Sequence, residues 1–100
     1  MNKTPIVWTP NARMHLHEIF EYIKKTRKST AERIVRRITD AIERLELFPE
    51  SGAVVETPDR PGLREIFVKK YRVIYRYADA VTILGVYHGA RRLTDRDLSE

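Results

Sequence analysis

The stretch that decides the fold is Leu63-Arg64-Glu65-Ile66-Phe67-Val68-Lys69-Lys70-Tyr71-Arg72-Val73-Ile74-Tyr75-Arg76-Tyr77. Branched and aromatic residues are interleaved here with basic ones, which is typical of strands in a half-buried sheet that also carries positive charge. Residues 64 to 92 contain seven Lys or Arg and two acids, a net charge of +5, whereas the rest of the chain contains twelve of each. The net charge of the protein therefore lies on this predicted sheet.

The composition indicates a single folded domain over residues 1–100. A hydrophobic content of 42% with 33% charged residues is ordinary for a globular chain, and this length is sufficient to bury a core. The absence of cysteine excludes disulfides and thiolate metal sites. No apolar run approaches the ~20 residues of a membrane span, so we expect a cytoplasmic protein with no membrane association. A pI near 9.7 favours a polyanionic or acidic partner.

Two amphipathic helices are predicted before this stretch. After a short strand at Ile6-Val7-Trp8, Thr9 can cap a helix that has Pro10 at its first position. Ser29-Thr30-Ala31-Glu32 has the spacing of a capping box and predicts the start of a second helix. The apolar residues on one face of each helix are Ala12, Leu16, Ile19, Phe20 and Ile23, then Ile34, Ile38, Ala41, Ile42 and Leu45. Two such helices with a short basic turn between them predict an antiparallel hairpin.

Three strands are predicted after the Pro- and Gly-rich loop 49–62, at 63–68, 71–77 and 81–88. Their connections of two and three residues require antiparallel hairpins. The predicted order is β-α-α-β-β-β. This is an α+β fold in which the helical hairpin packs on one face of a small, mostly antiparallel four-stranded sheet and leaves the other face free for binding. The tail after Leu93 is predicted to add a last turn, with Thr94 as its cap.

Strand alternation divides the side chains of residues 71–77 between the two faces of the sheet. It places Tyr71, Val73, Tyr75 and Tyr77 under the helices, and Arg72, Ile74 and Arg76 on the free face. Periodicity does not decide the side of Arg64, and we expect it to face the same way as Arg72. Gly89 allows a change of direction that would bring Arg91 over the free face.

These four arginines, Arg64, Arg72, Arg76 and Arg91, are the candidate binding residues. Guanidinium groups suit bidentate recognition of phosphate or carboxylate, which predicts a phosphate- or partner-binding surface. The alternative is that the arginines only keep the sheet soluble. The residues alone leave both interpretations open.

His88 is the one acid-base candidate in this region, since an unperturbed histidine titrates near neutrality. The alternative for His88 is a strand-end histidine whose ring is hydrogen-bonded. His15 and His17 do not form a metal pair, because residues i and i+2 of a helix lie about 200° apart. With no glycine-rich phosphate loop or nucleophile elbow in the sequence, we expect neither a metal nor a cofactor.

Five motifs follow one another along nearly the whole chain: Val7-Trp8-Thr9-Pro10-Asn11-Ala12, Phe48-Pro49-Glu50-Ser51-Gly52, Pro61-Gly62-Leu63-Arg64-Glu65, Tyr71-Arg72-Val73-Ile74-Tyr75-Arg76 and His88-Gly89-Ala90-Arg91. In this order they resemble the RelE/ParE superfamily of toxins from bacterial type II toxin-antitoxin systems. The resemblance implies a toxin that is held inactive, in a hetero-oligomer, by an acidic antitoxin. RelE-like members cut messenger RNA in the ribosome, whereas ParE-like members inhibit DNA gyrase and need no nuclease site.

The resemblance also assigns roles to individual residues. Arg72 and Arg91 match arginines that contact RNA phosphate in the nucleases, and Arg64 stands near a lysine of theirs. Ile66 occupies a position where a second lysine is expected, and no tyrosine follows Arg91. These departures favour a ParE-like gyrase inhibitor. One alternative is a ribosome-dependent endonuclease in which His88 transfers the proton, and a second is a basic binding module without toxicity.

Overall fold

The computed structural model describes residues 2–55 and 57–99. Its elements, in chain order, are β1 (Ile6–Trp8), α1 (Pro10–Lys24), α2 (Lys28–Glu43), a 3-10 turn (Arg44–Glu46), β2 (Ala53–Val54), β3 (Leu63–Val68), β4 (Tyr71–Tyr77) and β5 (Val81–His88). The strands form one sheet in the order β1-β5-β4-β3-β2, in which β1 runs parallel to β5 and the other pairs are antiparallel.

This architecture confirms the predicted α+β fold with a helical hairpin and an antiparallel meander. The sheet has five strands, not the predicted four. The additional strand, β2, has only two residues, Ala53 and Val54, which pair with Glu65 and Arg64. A strand that short has no alternation to recognise in a sequence. In the described part of the chain, the helices are too short and too polar to cross a membrane.

The start of α1 is fixed by Thr9, as predicted. Its Oγ1 accepts a hydrogen bond from the Ala12 amide at 3.1 Å and donates one to the Ile83 carbonyl at 2.7 Å. Pro10 occupies the first helical position, where no intrahelical donor is needed. One side chain therefore caps the helix and joins it to β5.

The start of α2 differs from the prediction. The N-cap residue is Arg27, in an extended conformation and without a side-chain capping bond, so the predicted capping box from Ser29 to Glu32 is wrong. The helix begins at Lys28, which puts Ser29 inside the first turn rather than at the cap. The spacing of Ser29 and Glu32 fits a capping box, but the motif also requires an extended backbone at its first residue.

The main core lies between the helical hairpin and one face of the sheet. The buried residues of this cluster are Ala12, Ile38, Ile42, Leu45, Val73, Tyr75, Val81, Ile83 and Val86. Tyr71 and Tyr77 pack against it, which confirms that the tyrosines of β4 face the helices. The fully buried hydroxyl of Tyr75 donates to the Pro49 carbonyl at 2.8 Å and accepts from the Gly52 amide at 2.9 Å. Tyr75 thereby attaches the loop after α2 to the core.

The opposite face of the sheet is partly covered by the C-terminal segment, so the prediction of a free face is wrong there. Leu63, Ile74, Leu84 and Tyr87 form a second buried cluster, against which Val55, Leu93 and Leu98 pack. Residues 94–98 form a turn in which the Leu98 amide donates to the Thr94 carbonyl at 3.3 Å. Burial of its apolar side chains, Leu93 and Leu98, stabilises the tail against the sheet.

Candidate functional site

Arg72 lies on the face of β4 that points away from the helices, as predicted. Its side chain is 18% exposed and forms an ion pair with Glu65, with Nη1 3.4 Å from the carboxylate. Nη2 donates to the Arg91 carbonyl at 2.9 Å. The buried Nε of Arg72 finds no acceptor among the described residues. Arg72 is therefore held by contacts inside the protein and supports the chain at Arg91.

Arg91 is held by Asp97 of the C-terminal turn. The Arg91 Nη2 donates to both carboxylate oxygens, at 3.0 and 3.1 Å, and the guanidinium lies 4.9 Å from the ring centre of Tyr87. Half of the Arg91 side chain remains exposed, at 51%, whereas that of Asp97 is 12% exposed. The structure thus brings Arg72 and Arg91 into direct contact, and each faces an internal carboxylate.

Asp97 holds this arrangement together, although no motif in the sequence marks it as a candidate. Its carboxylate also accepts hydrogen bonds from the Thr94 amide at 3.0 Å and the Thr94 hydroxyl at 3.1 Å. The bond from the Thr94 amide contributes most to lowering the pKa of Asp97 below its ordinary value, and the charge of Arg91 acts in the same direction. Asp97 is therefore ionised at neutral pH and suited to hold a cation.

Arg64 lies on the other side of the sheet, so the expectation that it faces the same way as Arg72 is wrong. The ladder between β3 and β4 is regular and pairs Arg64 with Tyr75, which places both residues on the helix side. The Arg64 Nη1 donates to the carbonyls of Glu50 and Gly52, each at 2.9 Å. Arg64 consequently fastens the loop after α2 and does not join Arg72 and Arg91.

Arg76 does lie on the predicted face, opposite Leu63 of β3. It lines a cleft of about 310 Å³ that also includes Asp59, Arg60 and Ser99. The structure therefore divides the four predicted arginines among three places.

His88 lies exposed at the end of β5. Its Nδ1 accepts a hydrogen bond from the Ala90 amide at 3.2 Å, and its ring meets that of Tyr71 edge to face at 6.1 Å. The hydrogen bond agrees with the interpretation of His88 as a strand-end histidine with a bonded ring. In the ranges that the structure describes, no three His, Asp or Glu residues are grouped so as to hold a metal ion.

His15 is a second histidine with a defined partner, and apart from its place on α1 no pattern in the sequence predicts this role. Its Nδ1 accepts a hydrogen bond from the Val86 amide at 3.2 Å, and its ring lies 4.7 Å from that of Tyr87. β1 pairs with β5 only as far as Ile83, so His15 supplies the acceptor that a longer edge strand would provide. Burial lowers the pKa of His15 below its ordinary value, although Glu18 opposes this effect.

A second basic region lies between α2 and the turn that joins β3 to β4. Arg33 and Arg37 of α2 line a cavity of about 880 Å³ together with Lys69 and Lys70 of the turn. Arg33 and Arg37 lie one helical turn apart on α2, so they share a face of the helix. Their spacing of four residues was the available signal, but only the tertiary structure shows that the lysines lie across from them.

Comparisons with known proteins agree with this architecture. A family model described as the ParE toxin of the type II toxin-antitoxin system, parDE, matches residues 6–93. Y4kP of Sinorhizobium fredii, a protein provisionally classed as a toxin, is 36% identical over 94 residues, which cover 88% of this chain and 91% of the relative.

Two solved structures have the same fold. One is from the chromosomal ParDE toxin-antitoxin system of P. aeruginosa, with a TM-score of 0.70 and 20% identity, covering 86% of this chain and 96% of the other. The other is from the RelBE2 toxin-antitoxin complex of Mycobacterium tuberculosis, with a TM-score of 0.64 and 24% identity, covering 86% and 98%. The fold, the family match over most of the chain and the curated relative agree, and the chain belongs to the ParE toxin family of type II toxin-antitoxin systems.

Proposed function

We propose that this toxin arrests bacterial growth by inhibiting DNA gyrase, in the cytoplasm, without cutting nucleic acid. The observation that carries the proposal is the engagement of Arg72 and Arg91 by the internal carboxylates of Glu65 and Asp97. A nuclease needs cations that are available to the phosphate and stabilise the charge that develops on it. Here both guanidinium groups are already paired with an anion, which weakens the attraction that they offer to a phosphate.

The acid-base groups near these arginines support the same conclusion. Arginine does not release a proton in proteins, so cleavage would require His88 or another titratable group to move one. His88 already uses its Nδ1 to accept a hydrogen bond from the Ala90 amide. It takes part in neither of the two ion pairs, Arg72–Glu65 and Arg91–Asp97. A surface of this kind suits the binding of a partner better than proton transfer.

We also infer that the toxin is neutralised by an acidic antitoxin in a hetero-oligomer. The two similar solved structures are described as toxin-antitoxin systems, and the sheet region of this chain carries a net charge of +5. A net positive charge steers a partner of the opposite sign toward the protein.

A RelE-like endonuclease is the second candidate function, and one observation favours it. His88 is exposed and lies in the same cavity as Lys69 and Lys70, so an acid-base group and two cations line one space. That arrangement offers a proton carrier beside groups that attract phosphate.

Two assays on the purified toxin separate the candidates. The first follows supercoiling of relaxed plasmid by gyrase, and the second follows the integrity of a defined message during translation. We expect loss of supercoiling with an intact message. Cuts at fixed codon positions together with normal supercoiling would support the endonuclease, and harmless expression of the chain in bacteria would contradict both candidates.

A further inference from the structure

One part of the sheet edge is covered by a side chain instead of a strand. In residues 2–55 and 57–99, no strand pairs with this edge of β5 beyond Ile83, because the chain turns into α1 after Thr9. Further along β5, the Nδ1 of His15 accepts a hydrogen bond from the Val86 amide at 3.2 Å. A histidine that accepts at Nδ1 is neutral and carries its proton on Nε2. The neutral form of His15 therefore closes this edge.

The ring of His15 also contacts the side of the sheet on which the C-terminal turn, residues 94–98, packs. It meets the ring of Tyr87 edge to face, with 4.7 Å between the centroids. Tyr87 belongs to the buried cluster that the C-terminal segment covers, whereas Val86 belongs to the core under the helices. His15 is thus in contact with one residue from each of the two buried clusters.

Tyr87 is a common contact of His15, Arg91 and Asp97. The Arg91 guanidinium lies 4.9 Å from the centre of the Tyr87 ring, and the Tyr87 hydroxyl donates to the Asp97 carbonyl at 3.2 Å. Arg91 and Asp97 form an ion pair with each other at 3.0 Å. A change at His15 therefore acts on the ring against which this ion pair rests.

The charged and titratable groups around His15 come from α1, β4, β5 and the C-terminal segment. They are Glu18, Tyr22, Tyr71, Tyr87, His88, Arg91 and Asp97. Burial contributes most to lowering the pKa of His15, and the charge of Arg91 adds to this effect, whereas Glu18 and Asp97 oppose it. The pKa of Tyr87 is raised and that of Asp97 is lowered, so neither group changes its charge in mildly acidic solution. His15 can therefore gain a proton while Tyr87 and Asp97 keep their states.

Protonation of His15 would act on two contacts at once. Its Nδ1–H would face the Val86 amide, so that a donor would meet a donor and the hydrogen bond would be lost. The imidazolium would also repel Arg91 and attract Asp97. Because Asp97 would then have two cations competing for its carboxylate, its ion pair with Arg91 would weaken.

We propose that His15 is a pH-dependent switch between α1 and the C-terminal turn, whose protonation releases the Val86 amide and loosens Arg91 from Asp97. The switch is a property of the fold and does not depend on the target of the toxin. Only its consequence for gyrase inhibition rests on the proposed function, in which Arg91 is a candidate contact. His15 is then a positioning residue for Arg91.

NMR titration of the full-length, isotope-labelled toxin from pH 7.5 to pH 5.0 tests the switch. Four signals are followed: the ring of His15, the backbone amides of Val86 and Thr94, and the Nε–H of Arg91. The Thr94 amide reports on the Asp97 carboxylate that it binds. His15→Gln is the test variant, because glutamine can accept a hydrogen bond but does not titrate. His17→Gln is the matched control, at an exposed position of the same helix.

In the wild type and in His17→Gln, we expect the four signals to shift with one midpoint below pH 6.5, the ordinary value for His15. We expect His15→Gln to reduce the shifts of Thr94 and Arg91 at least fivefold. The heteronuclear NOE of residues 94–98 should also fall at pH 5.0 in the wild type but not in His15→Gln. A fall of this kind reports increased motion of the turn, which a change of charge alone does not cause.

Two results would overturn the proposal. If His15 titrated while the Thr94 and Arg91 signals and the heteronuclear NOE stayed constant, the ring and the turn would be independent. If the shifts persisted in His15→Gln, another group such as His88 would be responsible for them. Since gyrase is absent from this experiment, failure of the gyrase proposal would leave the result unaffected.

Discussion

The guanidinium of Arg91 donates to both carboxylate oxygens of Asp97, six positions further along the chain, at 3.0 and 3.1 Å. The Tyr87 hydroxyl donates to the backbone carbonyl of the same aspartate at 3.2 Å. The C-terminal segment is thereby joined to Tyr87 of β5 and to Arg91, which lies three residues beyond the end of that strand. Its fold determines where Arg91 lies on the protein surface.

Asp97→Asn should therefore loosen the C-terminal segment. The change removes the charge that holds Arg91 and leaves buried hydrogen-bond groups poorly matched, so we expect the free energy of unfolding to fall by about 1–3 kcal/mol. Urea denaturation at pH 7 measures this change. Asp95→Asn is the matched control, because the Asp95 side chain is 96% exposed and its ion pair with Arg60 should contribute little. Equal losses in the two variants would contradict the anchoring role of Asp97.

The stability of the protein should depend on pH through His15. Its folded-state pKa is lowered mainly by burial, so the unfolded chain binds more protons around its ordinary pKa of 6.5. The contribution is present above that pH and is lost as the pH falls through the lowered folded-state value. Protonation also removes the acceptor used by the Val86 amide. We expect the urea midpoint of the wild type to decrease as the pH is lowered from 7.5 to 5.5.

His15→Gln should flatten this pH dependence, since glutamine does not titrate and can still accept a hydrogen bond. His17→Gln is the control, because His17 is exposed on the same helix. If His15→Gln kept the slope of the wild type, another group would be responsible for it.

Tyr75→Phe should destabilise the protein by about 1–3 kcal/mol, because the Pro49 carbonyl and the Gly52 amide would each lose a buried partner. The aromatic ring and its packing are retained, so the variant isolates the hydroxyl. Thermal or urea unfolding measures the loss. Tyr22→Phe, at a residue that is 72% exposed, should change stability by less than about 0.5 kcal/mol. A neutral Tyr75→Phe would mean that the loop is held by other contacts.

Arg91→Ala should weaken gyrase inhibition at least tenfold if the exposed half of this side chain contacts the target. The variant also releases Asp97, so a loss of activity alone does not show direct contact. Asp97→Asn separates the two effects, because it disturbs the same ion pair and retains Arg91. We expect Asp97→Asn to inhibit supercoiling better than Arg91→Ala does. Equal losses would show that the position of the tail, rather than the guanidinium, is what matters.

The parts of the fold that local chemistry determines were predictable from the sequence. Thr9 and Pro10 form a cap whose geometry depends on adjacent residues, and the alternation in β4 separates its tyrosines from its arginines, which placed Tyr75 under the helices. The side of Arg64 was not predictable. It depends on the pairing of β3 with β4, and a single bulge would have reversed it.

The candidate sites depended still more on tertiary structure. Arg72 and Arg91 were predicted to share a face, and they do, but their partners Glu65 and Asp97 belong to separate segments whose approach no local pattern reports. The same holds for the basic region that is lined by Arg33, Arg37, Lys69 and Lys70. It joins Arg37 to Lys69 across 32 positions of sequence, so its cations look like two unrelated surface features.

We propose that this toxin acts on gyrase by binding to it, and a supercoiling assay tests that proposal. Purified wild-type toxin is titrated into a mixture of gyrase, ATP and relaxed plasmid, and Arg91→Ala is titrated in the same way. In a parallel reaction, the toxin is added during translation of a defined message, and the integrity of that message is measured. We expect dose-dependent loss of supercoiling with the wild type, an inhibitory concentration at least tenfold higher for Arg91→Ala, and an intact message. Full supercoiling at every toxin concentration, with cuts in the message, would contradict it.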